Sequence, residues 1–105
     1  MALPCIVHKD GVVLARAQHP DQVLALEGNW YFHPDAVNHA ALQVSKRIYV
    51  CPYKGTCFWV DFRHGEHFVP DSAWVYPDPK PGYRKIGGWY GFYPNAKGYA
   101  KADCD

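Results

Sequence analysis

The run Thr56-Cys57-Phe58-Trp59-Val60-Asp61-Phe62 is so dense in β-branched and aromatic side chains that extended chain is its natural conformation. The turn Cys51-Pro52-Tyr53-Lys54-Gly55 joins it to a second such run, Arg47-Ile48-Tyr49-Val50. Strand, turn and strand is a pattern found elsewhere in the chain. Asp10-Gly11 stands between Cys5-Ile6-Val7-His8 and Val12-Val13-Leu14-Ala15, a strong hairpin signal, because a type I′ turn needs positive φ at both central positions. Val23 to Leu26 and Trp30 to Phe32 flank a Glu27-Gly28-Asn29 turn or bulge, with Gln18 to Asp21 as the loop before them. Arg63-His64-Gly65-Glu66 is a further turn, followed by short strands at Phe68-Val69, Ala73 to Tyr76 and Trp89 to Tyr93 and a long loop over Pro77 to Gly82.

One stretch has a different period. Val37, Ala40, Ala41 and Val44 fall at i, i+3, i+4 and i+7, which predicts an apolar stripe on a helix of about three turns. Pro34 and Asp35 suit its first turn, and Lys46 and Arg47 its last. Short strands with one short helix define a mainly β, β-rich α+β protein, a small curled antiparallel sheet or barrel. The 105 residues make one domain, with a core over about 4–93 and a polar, frayed tail over 94–105.

Eleven Lys and Arg against ten Asp and Glu leave a net charge of +1, and the basic residues form no run beyond Lys46-Arg47, so general attraction to nucleic acid or to an anionic membrane is weak. No segment approaches the roughly 18 uninterrupted apolar residues that span a bilayer, and Lys9 and Asp10 come too early for a signal peptide. The expectation is a cytoplasmic protein. Its four cysteines, at 5, 51, 57 and 104, form no Cys-x-x-Cys pair, which predicts free thiols rather than a disulfide framework or a zinc ribbon.

Tyr31-Phe32-His33-Pro34-Asp35-Ala36-Val37, Cys51-Pro52-Tyr53-Lys54-Gly55, Ala73-Trp74-Val75-Tyr76-Pro77 and Gly91-Phe92-Tyr93, in this order, resemble the domain-of-unknown-function 427 family over roughly Val12 to Tyr93. The resemblance implies a compact single β-rich domain related in shape to Mss4-like folds. Some members carry a nucleotidyltransferase-like label. Nucleotidyl transfer needs carboxylates for divalent metal and a phosphate-binding loop. This chain has no Gly-x-x-x-x-Gly-Lys-[Ser/Thr] and no Asp-x-Asp, and Asp21, Asp35, Asp61, Glu66, Asp71 and Asp78 stand apart, so the label is not carried over.

Four Trp, eight Tyr and five Phe are a large aromatic payload for this length. On a curled sheet Trp74 and Tyr76 share a face, as do Trp89, Gly91 and Tyr93. Such rings fill a core or wall a small-molecule site. The Cys51 to Gly55 turn adds a thiol, a phenol and an ammonium, and the plain alternative there is a hairpin turn with a buried Cys, a packed Tyr and a solvated Lys. His64-x-x-His67 with Cys51 or Cys57 is the only candidate metal set among the six His, and its spacing in a turn is weak, so no metal and no cofactor are expected.

Three classes of function follow. The first is a binding domain whose pocket of Trp30, Tyr53, Trp74 and Tyr76, with Lys54 and His33 as polar contacts, takes a planar or anionic small molecule. The second gives the same cleft a reaction, with Cys51 as nucleophile or redox thiol, Lys54 as its activator and His33 as acid or base. The third is a protein-interaction module working through exposed aromatics, with a homodimer left open.

Overall fold

The computed structural model describes residues 3–8, 11–93 and 99–103, the last group as backbone alone. Among the described residues nine strands follow one another: β1 (Pro4–His8), β2 (Val13–Arg16), β3 (Val23–Leu26), β4 (Asn29–Phe32), β5 (Leu42–Cys51), β6 (Gly55–His64), β7 (His67–Val75), β8 (Tyr90–Phe92) and β9 (Tyr99–Asp103). They form a three-stranded sheet, β2-β1-β9, and a six-stranded sheet, β3-β4-β8-β7-β6-β5. Every pairing is antiparallel, and no closed barrel forms among the described residues. Among those residues no helix is long and apolar enough to cross a membrane.

Local chemistry explains the turns. Glu27 and Gly28 sit at φ 54° and 83°, the two positive values a tight two-residue hairpin requires, and Leu26 then faces Asn29. Gly11 is at φ 97°, donates its N–H to the His8 carbonyl at 2.8 Å, and so starts the return strand one residue later than a turn centred on Asp10-Gly11 would.

The predicted helix is not there. Pro34–Ala36 makes one 3-10 turn, and the chain from Leu42 is strand β5. Asn38 is the reason on the helix side: its Oδ1 accepts the Ala40 N–H at 3.1 Å and its Nδ2 donates to the Val13 carbonyl at 2.9 Å, which replaces helical bonding by a local turn tied to β2. On the strand side, Val44, Ile48, Tyr49 and Val50 favour extended chain, and β6 supplies a full ladder from Leu42↔Phe62 to Cys51↔Gly55. Arg47, expected at a helix C-terminus, lies instead where the β5 ladder is irregular and bonds Asp61 and Asp71 from β6 and β7.

The tail also differs from expectation. Residues 99–103 pair with β1 from Tyr99↔His8 to Asp103↔Pro4, so the frayed stretch predicted from Pro94 contains a strand; 94–98 and 104–105 lie outside the described residues. The four-thiol expectation fails as well. Cys51 and Cys57 are free, but Cys5 is disulfide-bonded, and its partner lies outside the described residues.

Because side chains alternate along a strand, the large sheet feeds two cores. Phe32, Val60, Phe62, Ala73 and Phe92 pack with Ile6 and Leu14 of the small sheet. Tyr31, Cys57, Trp74 and Tyr76 belong to a second core on the other face, joined by Cys51 and by Ile86 from the 3-10 segment Pro81–Ile86.

Candidate functional site

The second core holds the site. Register places Tyr31 opposite Gly91, Gly91 opposite Trp74, and Trp74 opposite Trp59, one row of side chains running across β4, β8, β7 and β6. Gly91 is the gap in that row, and the Trp74 indole lies in it. A Cβ on Gly91 would stand 2.4 Å from Trp74 Nε1, so only glycine admits the ring. Lying there, the indole N–H donates to the Tyr31 hydroxyl at 3.1 Å, which satisfies a buried donor. Tyr93 and Trp59 contact the same ring, with centroids 4.6 Å and 6.2 Å away.

The adjoining row carries Tyr76 and Cys57, the latter opposite Tyr49. Together these groups enclose a pocket of about 120 Å³ lined by Tyr31, Trp59, Trp74, Tyr76, Cys57 and Lys54, with Asn29, Tyr49 and Tyr93 completing it. A second depression of about 390 Å³ runs between Val13–Gln18 and Asp35–Asn38 but is lined by no aromatic ring or thiol.

Lys54 enters the pocket from the β5–β6 turn, and its side chain is only 13% exposed. Its ammonium is paired with Glu27 from the β3–β4 turn and lies 5.3 Å from the centre of the Tyr83 ring; the Tyr83 hydroxyl donates to the other Glu27 oxygen at 3.2 Å. The bond from Lys54 lowers the Glu27 carboxyl below its ordinary range. Burial of Lys54 works against its charge, yet Glu27 outweighs that and raises the ammonium.

The thiols differ. Burial opposes ionisation of Cys51, but amide bonds from Lys54 and Tyr53, the Lys54 charge and the Tyr76 hydroxyl together bring its thiol below the ordinary value. Burial dominates at Cys57 and pushes that thiol up. Tyr76, coupled to both, is held far above the ordinary phenol value, first by burial and then by the neighbouring sulfurs. Burial likewise raises Tyr31. At neutral pH the pocket therefore presents neutral phenols and one compensated ammonium.

Of the residues singled out in the sequence, the structure brings together Lys54, Trp74 and Tyr76, with Cys51 beside them through its bond from the Lys54 N–H at 3.4 Å. The shared face of Trp74 and Tyr76 holds, and Trp89 and Tyr93 pack against the same core. Trp30 is one residue out of phase: it packs on the first core, on the opposite face of the sheet. Tyr53 stands at the tip of its turn, 73% exposed, and Lys54 is the sequestered member, the reverse of a packed Tyr and a solvated Lys. His33 caps the 3-10 turn by accepting the Asp35 N–H at 3.0 Å and leans on Trp89, with β8, β7 and β6 between its strand and that of Cys51. Tyr31, Trp59 and Glu27 were not singled out, and Cys57 only as a candidate metal ligand. No local signal separates Tyr31 from its neighbour Trp30, and Glu27 meets Lys54 only through the curl of the sheet.

The class that fold and site define is thus a small antiparallel β domain with a phenol- and indole-walled pocket that includes a glutamate-paired lysine. Residues 4–103 match the family described as Domain of unknown function (DUF427), and the chain belongs to that family. No curated protein matches it.

Proposed function

We propose that this domain binds a small planar molecule carrying one acidic group in the pocket of Tyr31, Trp74, Tyr76 and Lys54. The observation that carries the reading is the convergence of two buried phenols and an ammonium on one aromatic-walled space. The size of that space, about 120 Å³, limits the enclosed part to roughly a single ring, since an engineered cavity of about 150 Å³ takes benzene. The acidic group takes the place of Glu27 on Lys54, and the ring lies among Trp59, Trp74 and Tyr93. Trp30, Tyr53 and His33 have no part in this pocket. The test is a panel of inorganic phosphate, small carboxylates, nucleobases, nucleotides and sugar phosphates, screened by tryptophan fluorescence and thermal shift. Saturable binding by a small ring acid, weakened in Lys54→Met by about 1.5–3 kcal/mol, supports the reading; no binding at millimolar concentration overturns it.

The reaction chemistry considered from the sequence keeps Cys51 and Lys54 but loses His33, which does not line the pocket. An interaction reading has one observation in its favour. Edge strand β5 exposes Val44, Ile48, Tyr49 and Val50, and two copies paired antiparallel through that edge would cover them symmetrically. Sedimentation at micromolar concentration tests it, and a strictly monomeric chain removes the homodimer. With a net charge of +1, neither nucleic acid nor a membrane surface belongs to the proposal. A cytoplasmic setting does, and it rests on the free thiols of Cys51 and Cys57.

A further inference from the structure

Cys51 and Cys57 lie on one face of the β5–β6 hairpin. Register pairs Tyr49 with Cys57 and Cys51 with Gly55, so the two cysteines are diagonal neighbours at the end of the ladder. The position directly across from Cys51 is a glycine. No side chain on that strand therefore separates the two thiols; diagonal neighbours on one face stand about 7–8 Å apart, just beyond the usual span of a disulfide, so a bridge forms only as the end of the hairpin closes in. The Tyr76 hydroxyl acts on both thiols, favouring the ionised form of each. Both belong to the second core, yet Cys57 lines the pocket and Cys51 keeps 8% of its surface exposed.

We propose that Cys51 and Cys57 are a peroxide-reactive dithiol that closes reversibly to a disulfide. Cys51 is the attacking sulfur: it accepts the Lys54 N–H, and the surrounding donors favour its thiolate, the reactive form. In the first step the Cys51 thiolate attacks one oxygen of hydrogen peroxide, the O–O bond breaks, hydroxide departs, and the sulfur becomes a sulfenic acid, oxidised by two electrons. In the second, the Cys57 sulfur attacks the Cys51 sulfur, the S–O bond breaks, and the Cys57 proton leaves with the hydroxyl as water. A thiol reductant reverses the bridge. Closure draws the last pair of the ladder inward, which the adjoining turn can absorb because Cys51↔Gly55 is where the ladder ends.

Trypsin cuts after Arg47, Lys54 and Arg63, so the bridge joins peptides 48–54 and 55–63. The experiment treats the protein with hydrogen peroxide, alkylates remaining thiols and maps peptides by mass spectrometry. Expected are a reductant-sensitive 48–54/55–63 cross-link in the wild type, a dimedone adduct on Cys51 in Cys57→Ser, and oxidation of Cys57 slowed at least about tenfold in Cys51→Ser. Tyr76→Phe removes the hydroxyl shared by the thiols and slows cross-linking. Oxidation of wild-type Cys51 to sulfinic acid without a cross-link overturns the proposal, as does a Cys57 that reacts equally fast without Cys51. The wild-type map needs neither a variant nor a bound ligand, so its outcome is independent of the pocket's occupant.

Discussion

The carboxylate of Glu27 holds the ammonium of Lys54, although the two residues come from hairpin turns at opposite edges of the six-stranded sheet. Glu27 follows β3 and Lys54 follows β5, the two outermost strands, so the pair marks how far the sheet curls over its second face. It also fixes the ammonium of Lys54, a residue that lines the pocket.

This pairing has a pH signature. The Glu27 carboxyl is lowered in the folded protein, so its contribution to stability is complete above the ordinary carboxylate pKa and disappears as pH falls through the lowered value. Glu27→Gln should therefore melt below wild type at neutral pH and converge with it in acid. A difference that persists unchanged at about pH 2–3 would mean that the charge is not what Glu27 contributes. In the binding panel, Glu27→Gln should tighten an anionic ligand, since the competitor for Lys54 is gone.

Gly91→Ala tests the floor of the site. The added methyl meets the indole of Trp74 rather than a flexible chain end, and expelling the ring should cost about 1–3 kcal/mol in a denaturant melt, with a shift in tryptophan emission. Gly82 has open space around it, and Gly82→Ala should be close to neutral. Equal effects at both positions would count against the close packing of Trp74 on β8.

Tyr31→Phe removes the acceptor of the Trp74 N–H and leaves a buried donor unpaired. Destabilisation of about 1–3 kcal/mol is expected from equilibrium unfolding, with little change in far-UV circular dichroism. A neutral result would mean that water takes over the bond.

Thiol titration under denaturing, non-reducing conditions should find two groups, Cys51 and Cys57, and more after reduction, because Cys5 is bridged. A count of four before reduction would show the Cys5 bridge to be absent in solution.

Much of the β architecture can be read from neighbouring residues alone. Thr56 to Phe62 had to be strand, and Glu27-Gly28 had to be a turn, because steric and φ preferences act within a few bonds. Burial of Trp74 and Tyr76 on one face follows from their spacing of two. Other features depended on groups far along the chain. Val37 to Val44 has helical spacing, but a helix that short relies on packing for its stability, and β6 and the Val13 carbonyl offered Leu42–Cys51 and Asn38 better partners. Trp30 and Tyr31 are equally aromatic neighbours; only the pairing of Tyr31 with Gly91 decides which one faces the pocket. The meeting of Glu27 with Lys54, and the place of His33 at a 3-10 turn outside the pocket lining, follow from strand order and sheet curl. Those are set by long-range backbone pairing, which leaves no mark on the local run of residues.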